Sequence, residues 1–313
     1  MKNINPLILL IIIVFLTTSC KKNAKDNKGQ EPCVGGCGTI DFNIVDYQPA
    51  WSPDGKYIAY YHIDKEVAKN GIWLITPDGK ENRLWHSGVG AETPTWSPDG
   101  QWIAFSQGAQ IWKKKLNGDS LTRITNEGRN FFPAWSPDGK WIAYGQSICN
   151  ATPCGLWIVS ASTNSTSFLM NYGNFPTWNP HTMEIIYQTT IVETNGNVLG
   201  DSLWVFNLAS NKKRGLIALT GKNLTNNYFK YSSNDKIGFT SQPMGGVPQI
   251  WLMNADGSNQ KQLTQTGGYT SDWSPDGSKI VFTDSRAVNG RLWLMNADGS
   301  NKQQLSFAEN FNP

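Results

Sequence analysis

Three histidines in 313 residues leave little material for catalysis or metal binding. His62, His86 and His181 are scattered along the chain, which has no His-Glu-x-x-His zinc motif, no Gly-x-Ser-x-Gly nucleophile elbow and no phosphate-cradling Gly loop. Charge of one sign is missing as well. With 27 Lys and Arg against 24 Asp and Glu, there is neither the basic stripe that nucleic acid requires nor an acidic tail. The apolar run from Pro6 to Leu16 is too short to span a bilayer comfortably. No catalytic residue, metal site or cofactor is therefore expected.

What is present is Trp, with 14 residues, beside 30 Gly and 16 Pro, a composition suited to many short strands joined by tight turns. Trp-Ser-Pro-Asp-Gly begins at residues 51, 96, 135 and 273, and weaker copies begin at Trp178 and Tyr231. Repetition at this period signals stacked supersecondary units. In each copy a short strand ends on the aromatic. Pro then presets the turn backbone, and Gly accepts the positive φ that follows. A second, β-rich arm comes next, such as Trp102-Ile103-Ala104-Phe105. A third strand always carries a Trp (73, 112, 157, 204, 251, 293), and a more polar fourth closes the unit. Four strands in each of six units predict an all-β chain, a six-bladed β-propeller with four antiparallel strands per blade, over residues 40–313. The recurring Trp belongs to the core of that ring rather than to a sugar-stacking platform, because functional aromatics need not recur in every blade.

The amino terminus reads as a targeting signal. Lys2, the apolar run and the small residues Thr17-Thr18-Ser19 lead into Cys20. This resembles a bacterial lipoprotein signal, with Leu16 four rather than three positions before the Cys. The resemblance implies that residues 1–19 are a signal peptide, that Cys20 is lipidated, and that residues 20–39 are a flexible tether. It places the chain outside the cytoplasm, lipid-anchored to the cell envelope at the outer membrane, either periplasmic or surface-facing. Export agrees with the other cysteines. Cys33 and Cys37 (CVGGC) and Cys149 and Cys154 (CNATPC) form two local pairs, and disulfides are expected in an oxidising compartment. Three connectivities stay open among four cysteines.

Trp-Ser-Pro-Asp-Gly-Lys-x-Ile-Ala-Tyr, followed by Ile-Trp-Leu-Met-Asn-Ala-Asp-Gly-Ser-Asn and Gln-Leu-Thr, resembles the WD40-like (PD40) repeat of TolB-type β-propellers. In TolB an α/β domain precedes the propeller, whereas here the short tether occupies that place. The resemblance implies the fold and supplies no partner-binding residue.

If the first strands line the channel, the Ser-Pro-Asp-Gly hairpins share one side of the disc. The loops between blades, and those between strands two and three, share the other. The second set is irregular, with an insertion at Thr189 to Asp201, and irregular loops on a rigid scaffold are where binding is expected. One residue from each between-blade loop is a candidate at the channel mouth: Glu92, Arg129, Tyr172, Tyr228 and Tyr269. The expected function is a non-catalytic, monomeric, membrane-tethered propeller that binds a protein or glycan of the envelope and not nucleic acid. The alternative is a polysaccharide lyase acting in the channel, and whether His62, His86 or His181 converges with carboxylates decides between them. For closure of the ring, Asn310 to Pro313 is expected beside blade one, and Ile40 to Val45 against the last blade.

Overall fold

The computed structural model describes residues 44–147, 154–192, 198–219, 224–243, 246–284 and 290–307. Their strands form six sheets of four, and each sheet uses four consecutive strands in antiparallel order. The blades occupy residues 45–87, 92–123, 129–171, 174–219, 224–262 and 271–304. The six first strands are Val45–Trp51, Glu92–Trp96, Arg129–Trp135, Asn174–Trp178, Leu224–Tyr231 and Ser271–Trp273. Each packs against the first strands of both neighbouring blades, so together they form a closed inner ring. The expected insertion at 189–201 proves to be largely strand. Blade four extends its second and third strands to Glu184–Val192 and Val198–Asn207.

The repeated pentapeptide builds its turn with its own side chains. Ser52 Oγ donates to Asp54 Oδ1 at 2.8 Å and accepts the Tyr57 N–H at 2.9 Å, while the Lys56 N–H donates to the same Asp54 oxygen at 3.1 Å. Gly55 supplies the positive φ of 74° that the turn needs. The Ser-to-Asp bond recurs at Ser97–Asp99, Ser136–Asp138 and Ser274–Asp276.

The apolar core is divided among the blade interfaces. Buried side chains fall into six clusters, each shared by two neighbouring blades. Ile142, for example, packs with Ala104 and Ile111 of blade two, whereas the next residue, Ala143, points the other way, to Trp178 and Ile185 of blade four. Alternation along a strand thus serves two interfaces at once. The first-strand Trp adds a polar stitch between blades. Trp96 Nε1 donates to Ala50 O at 2.9 Å, Trp178 Nε1 to Ala134 O at 2.9 Å and Trp273 Nε1 to Lys230 O at 3.1 Å, each time to the residue before the equivalent aromatic of the preceding blade. Trp135 Nε1, at the same place in blade three, is buried without a hydrogen-bond partner.

Blade six meets blade one through a buried polar clasp. Asp46 Oδ1 bonds His62 Nδ1 at 2.6 Å, and Asp46 Oδ2 accepts from Ser306 Oγ at 2.6 Å with the Arg291 guanidinium 3.9 Å away. Asp46 and His62 are both fully buried. The Asp46 N–H donates to Gly290 O at 2.9 Å, and Arg291 donates to Ile44 O at 2.6 Å. Between blades two and three the same register positions hold a neutral version: Asn130, opposite Gln146, bonds Thr125 and Gln110 of the preceding blade. Of the stretch expected against the last blade, only Ile44 and Val45 are described. Val45 pairs with Ile63 of its own blade, and the link to blade six runs through side chains and the Asp46 N–H. Residues 310–313 lie outside the described residues.

Candidate functional site

All six first strands run in the same sense along the axis, from the between-blade loops to the hairpin turns, so the distance of a residue from its terminal aromatic fixes its depth in the channel. Three positions before that aromatic stand Gln48, Thr93, Phe132, Phe175, Tyr228 and Thr270. All but Thr270 have φ between 49° and 58°, in the left-handed region, and the strand register shifts there in each of these five blades. A bulge of this kind re-aims a side chain. The bulged residues line the central cavity, and their rings meet across it. Phe132 lies 4.2 Å from Phe175 and 5.9 Å from Tyr228 two blades away, and Phe175 lies 5.2 Å from Tyr228. On the opposite side of the cavity the lining is polar: Gln48 Oε1 accepts the Thr93 N–H, and the Gln48 N–H donates to Thr270 Oγ1.

The hairpin-side mouth is lined by Pro49, Pro94, Pro133 and Pro176, with Lys230. Asp272, beside it, accepts the Trp51 N–H at 2.7 Å. Burial raises its pKa, opposed by the nearby Lys230 ammonium.

On the loop side the level four residues before the aromatic holds Tyr47, Glu92, Phe131, Asn174, Asn227 and Tyr269. Tyr269 stacks edge-on to Tyr228 at 5.2 Å, and Tyr47 edge-on to Tyr61 at 5.1 Å. Burial raises the Glu92 pKa. Burial first, and then the Glu92 charge, pushes the Tyr47 hydroxyl far above the tyrosine range. Tyr228 is raised by burial too, with Tyr269 and Glu92 adding to the shift and the Gln48 side chain opposing it.

Of the five residues expected at this mouth, Glu92, Tyr228 and Tyr269 come together. Arg129 and Tyr172 do not. Both are exposed, six residues before their aromatics, and Tyr172 is 79% exposed. Tyr47 and Tyr61 complete the cluster and were missed, although Tyr47 has the same spacing to Trp51 as Glu92 to Trp96. Val67, Val89 and Val247 are further exposed apolar residues on the loop side. Cys20, Cys33, Cys37 and Cys149 lie outside the described residues, and Cys154 is a disulfide-bonded cysteine.

The histidines give no active site in the channel. His62 does meet two carboxylates, Asp46 at 2.6 Å and Asp64 at 3.6 Å, but it is sealed within the seam of the ring. His86 bonds Gln107 at 3.0 Å between blades one and two, and His181 lies on the hairpin side against Ser233 O at 3.0 Å. Among the described residues no group of three or more His, Cys, Asp or Glu is placed to hold a metal ion.

The model of the PD40 family, described as the TolB β-propeller domain, matches residues 39–201, which is more than half of the chain. The chain belongs to the PD40 family of TolB-like β-propellers. No curated relative matches the sequence. Among solved structures, the PD40 propeller is similar to TolB from Acinetobacter baumannii, with a TM-score of 0.63 and 19% identity over 84% of this chain and 63% of that one. It thus spans less than two thirds of that TolB. A similar likeness extends to the tricorn protease (TM-score 0.62, 14% identity, 84% of this chain and 26% of that chain). An oligogalacturonate lyase solved in complex with manganese gives 0.57 at 13% identity, over 83% and 77% of the two chains. At these identities the likeness carries the PD40 fold and not an activity.

Proposed function

We propose that this PD40 propeller is a non-catalytic receptor that binds a protein or glycan partner at the loop-side mouth of its channel, in the bacterial cell envelope. The observation that carries the reading is the convergence of Glu92, Tyr228 and Tyr269 above a cavity crossed by aromatic rings, on the side where Tyr172, Val89 and Val247 stand exposed. Aromatic residues of this kind are enriched at protein interfaces. Lys2, the apolar run from Pro6 to Leu16 and the small residues before Cys20 support an exported, envelope setting. In this reading residues 1–19 are removed, Cys20 carries lipid, residues 20–39 tether the 40–313 propeller as a monomer at the outer membrane, and Cys149 is the disulfide partner of Cys154.

Pull-down from envelope extracts tests it. The wild-type chain captures a defined partner, and a Val89→Asp/Tyr172→Ala variant on the loop side captures less of it. An unchanged partner list removes the loop side from consideration. Cys20→Ala moves the protein from the detergent phase to the aqueous phase if the anchor is real.

A further inference from the structure

Most polar side chains in the wall of the central cavity are bonded within the fold. Thr93 Oγ1 bonds Ser106 Oγ at 2.9 Å, and Thr270 Oγ1 bonds Thr283 Oγ1 at 3.0 Å. The Gln48 side chain bonds the Thr93 N–H and the Tyr228 hydroxyl. Two groups of the wall, from neighbouring blades, differ. Among the described residues, neither the Lys230 ammonium nor the Ser271 hydroxyl makes a hydrogen bond or an ion pair. Ser271 is only 3% exposed. Asp272, at the same level as Lys230 in the next blade, accepts the Trp51 N–H at 2.7 Å and forms no ion pair with Lys230.

The rest of the wall is mainly apolar. Pro49, Pro94, Pro133 and Pro176 line it together with the Phe132 and Phe175 rings, whose centroids are 4.2 Å apart. The space is about 480 Å³ with its open mouth included. Small-molecule sites have this make-up, an apolar wall with a few polar groups that orient the ligand. A buried hydroxyl without a partner costs stability, and an ammonium beside an apolar wall favours an anion. A carboxylate answers both, because its two oxygens accept from two donors at once. Inorganic phosphate fits less well, since it gives up its water to proline and phenylalanine without return.

We propose that the hairpin-side cavity binds an organic acid, a carboxylate on an apolar body. Lys230 is its counter-charge, the Ser271 hydroxyl is a second donor, and the prolines with Phe132 and Phe175 hold the body. The carboxylate belongs either to a free small acid or to the end of a peptide chain with an apolar last residue. This site is separate from the loop-side surface and stands whether or not a partner binds there.

Saturation-transfer NMR and isothermal titration on the full chain test the proposal with phenylacetate, set against neutral phenylacetamide, cationic phenethylamine and bare acetate. Phenylacetate binds at millimolar concentration and the other three do not. Lys230→Met weakens it on the order of tenfold, the loss of one charge-assisted bond. Lys230→Arg keeps the charge and retains binding, and Ser271→Ala weakens it by a smaller factor. The peptide acetyl-Gly-Gly-Phe with a free carboxylate separates the two sources. Tighter binding than phenylacetate identifies a chain end, and equal or weaker binding identifies a free acid. Thermal melting shows that each variant is folded, and should Lys230→Met fail to fold, the four compounds on the wild-type chain and Lys230→Arg decide. The proposal is overturned if phenylacetamide, phenethylamine or acetate binds as well as phenylacetate. It is equally overturned if folded Lys230→Met binds phenylacetate like wild type, if folded Lys230→Arg loses it, or if phenylacetate does not bind the wild-type chain at millimolar concentration.

Discussion

The indole Nε1 of Trp96 in blade two donates to the carbonyl oxygen of Ala50 in blade one at 2.9 Å, whereas the equivalent indole of Trp135 in blade three is buried with no hydrogen-bond partner. The two Trp residues share a sequence motif and a wedge position, and they differ in this hydrogen bond and in burial, Trp96 being buried and Trp135 half-buried. Trp96→Phe is expected to lose about 1–2 kcal/mol more than Trp135→Phe, because it forfeits the bond and leaves the Ala50 carbonyl unmet. Urea unfolding of the two variants measures the gap, and equal losses would show that the stitch contributes nothing net.

The seam between blades six and one is a charged version of the clasp between blades two and three. Asp46→Ala leaves His62, Ser306 and Arg291 facing an empty acceptor site and is expected to cost about 3–5 kcal/mol. Asp46→Asn/His62→Gln copies the Asn130 and Gln146 arrangement and should recover most of that loss. Chemical denaturation of the single and double variants decides it. A double variant as unstable as Asp46→Ala would mean that the charges themselves are required.

Glu92 should behave as a residue kept at a cost to stability. Its pKa is raised by burial, so the folded state holds the proton more tightly than the unfolded chain, and stability falls as pH climbs through and above the ordinary Glu range. Glu92→Gln is therefore expected to melt higher than wild type at neutral pH, and alongside it below about pH 4, where both are uncharged. Paired melting curves at the two pH values test the sign. A lower melting point for the variant at neutral pH would show that Glu92 has a stabilising partner.

Gly71 and Gly155 open the third strands of blades one and three with φ of 150° and 145°. A Cβ would stand 2.0 Å from His86 O at the first and 2.0 Å from Met170 O at the second, both backbone atoms of the fourth strand. Gly71→Ala and Gly155→Ala must push that strand away, and each is expected to lose about 3 kcal/mol or more. The loss can be read from denaturation midpoints, and a change below about 1 kcal/mol would show that the fourth strand yields easily.

The turn motif and the Trp positions made the architecture legible, because a Ser-Pro-Asp-Gly hairpin and a wedge aromatic are local features that each blade must repeat. The site was legible only in part. Glu92, Tyr228 and Tyr269 stand three or four residues before a first-strand aromatic and so reach the channel, whereas Arg129 and Tyr172 stand six before theirs and remain in the loops. Counting back from the aromatic would have found Tyr47 as well. The left-handed bulge was harder to see. Thr93 and Phe132 are poor residues for positive φ, and they adopt it because the ring requires the strand to turn there, which is a tertiary demand with no local signature. The clasp was hidden for another reason. Asp46 and Asn130 share a register position, as do His62 and Gln146, but their identities differ, and the seam stands out only when register rather than residue type is compared.

Closure by side chains also determines how the disc bears load. Among the described residues no strand is exchanged between the first and last sheets, and Ile44 and Asp46 are held to Gly290 and Arg291 at the point where the chain enters the ring. A pull on the chain ahead of residue 44 is therefore divided between blades one and six before it reaches any other blade. The clasp is the part of the ring that a mechanical force would strain first.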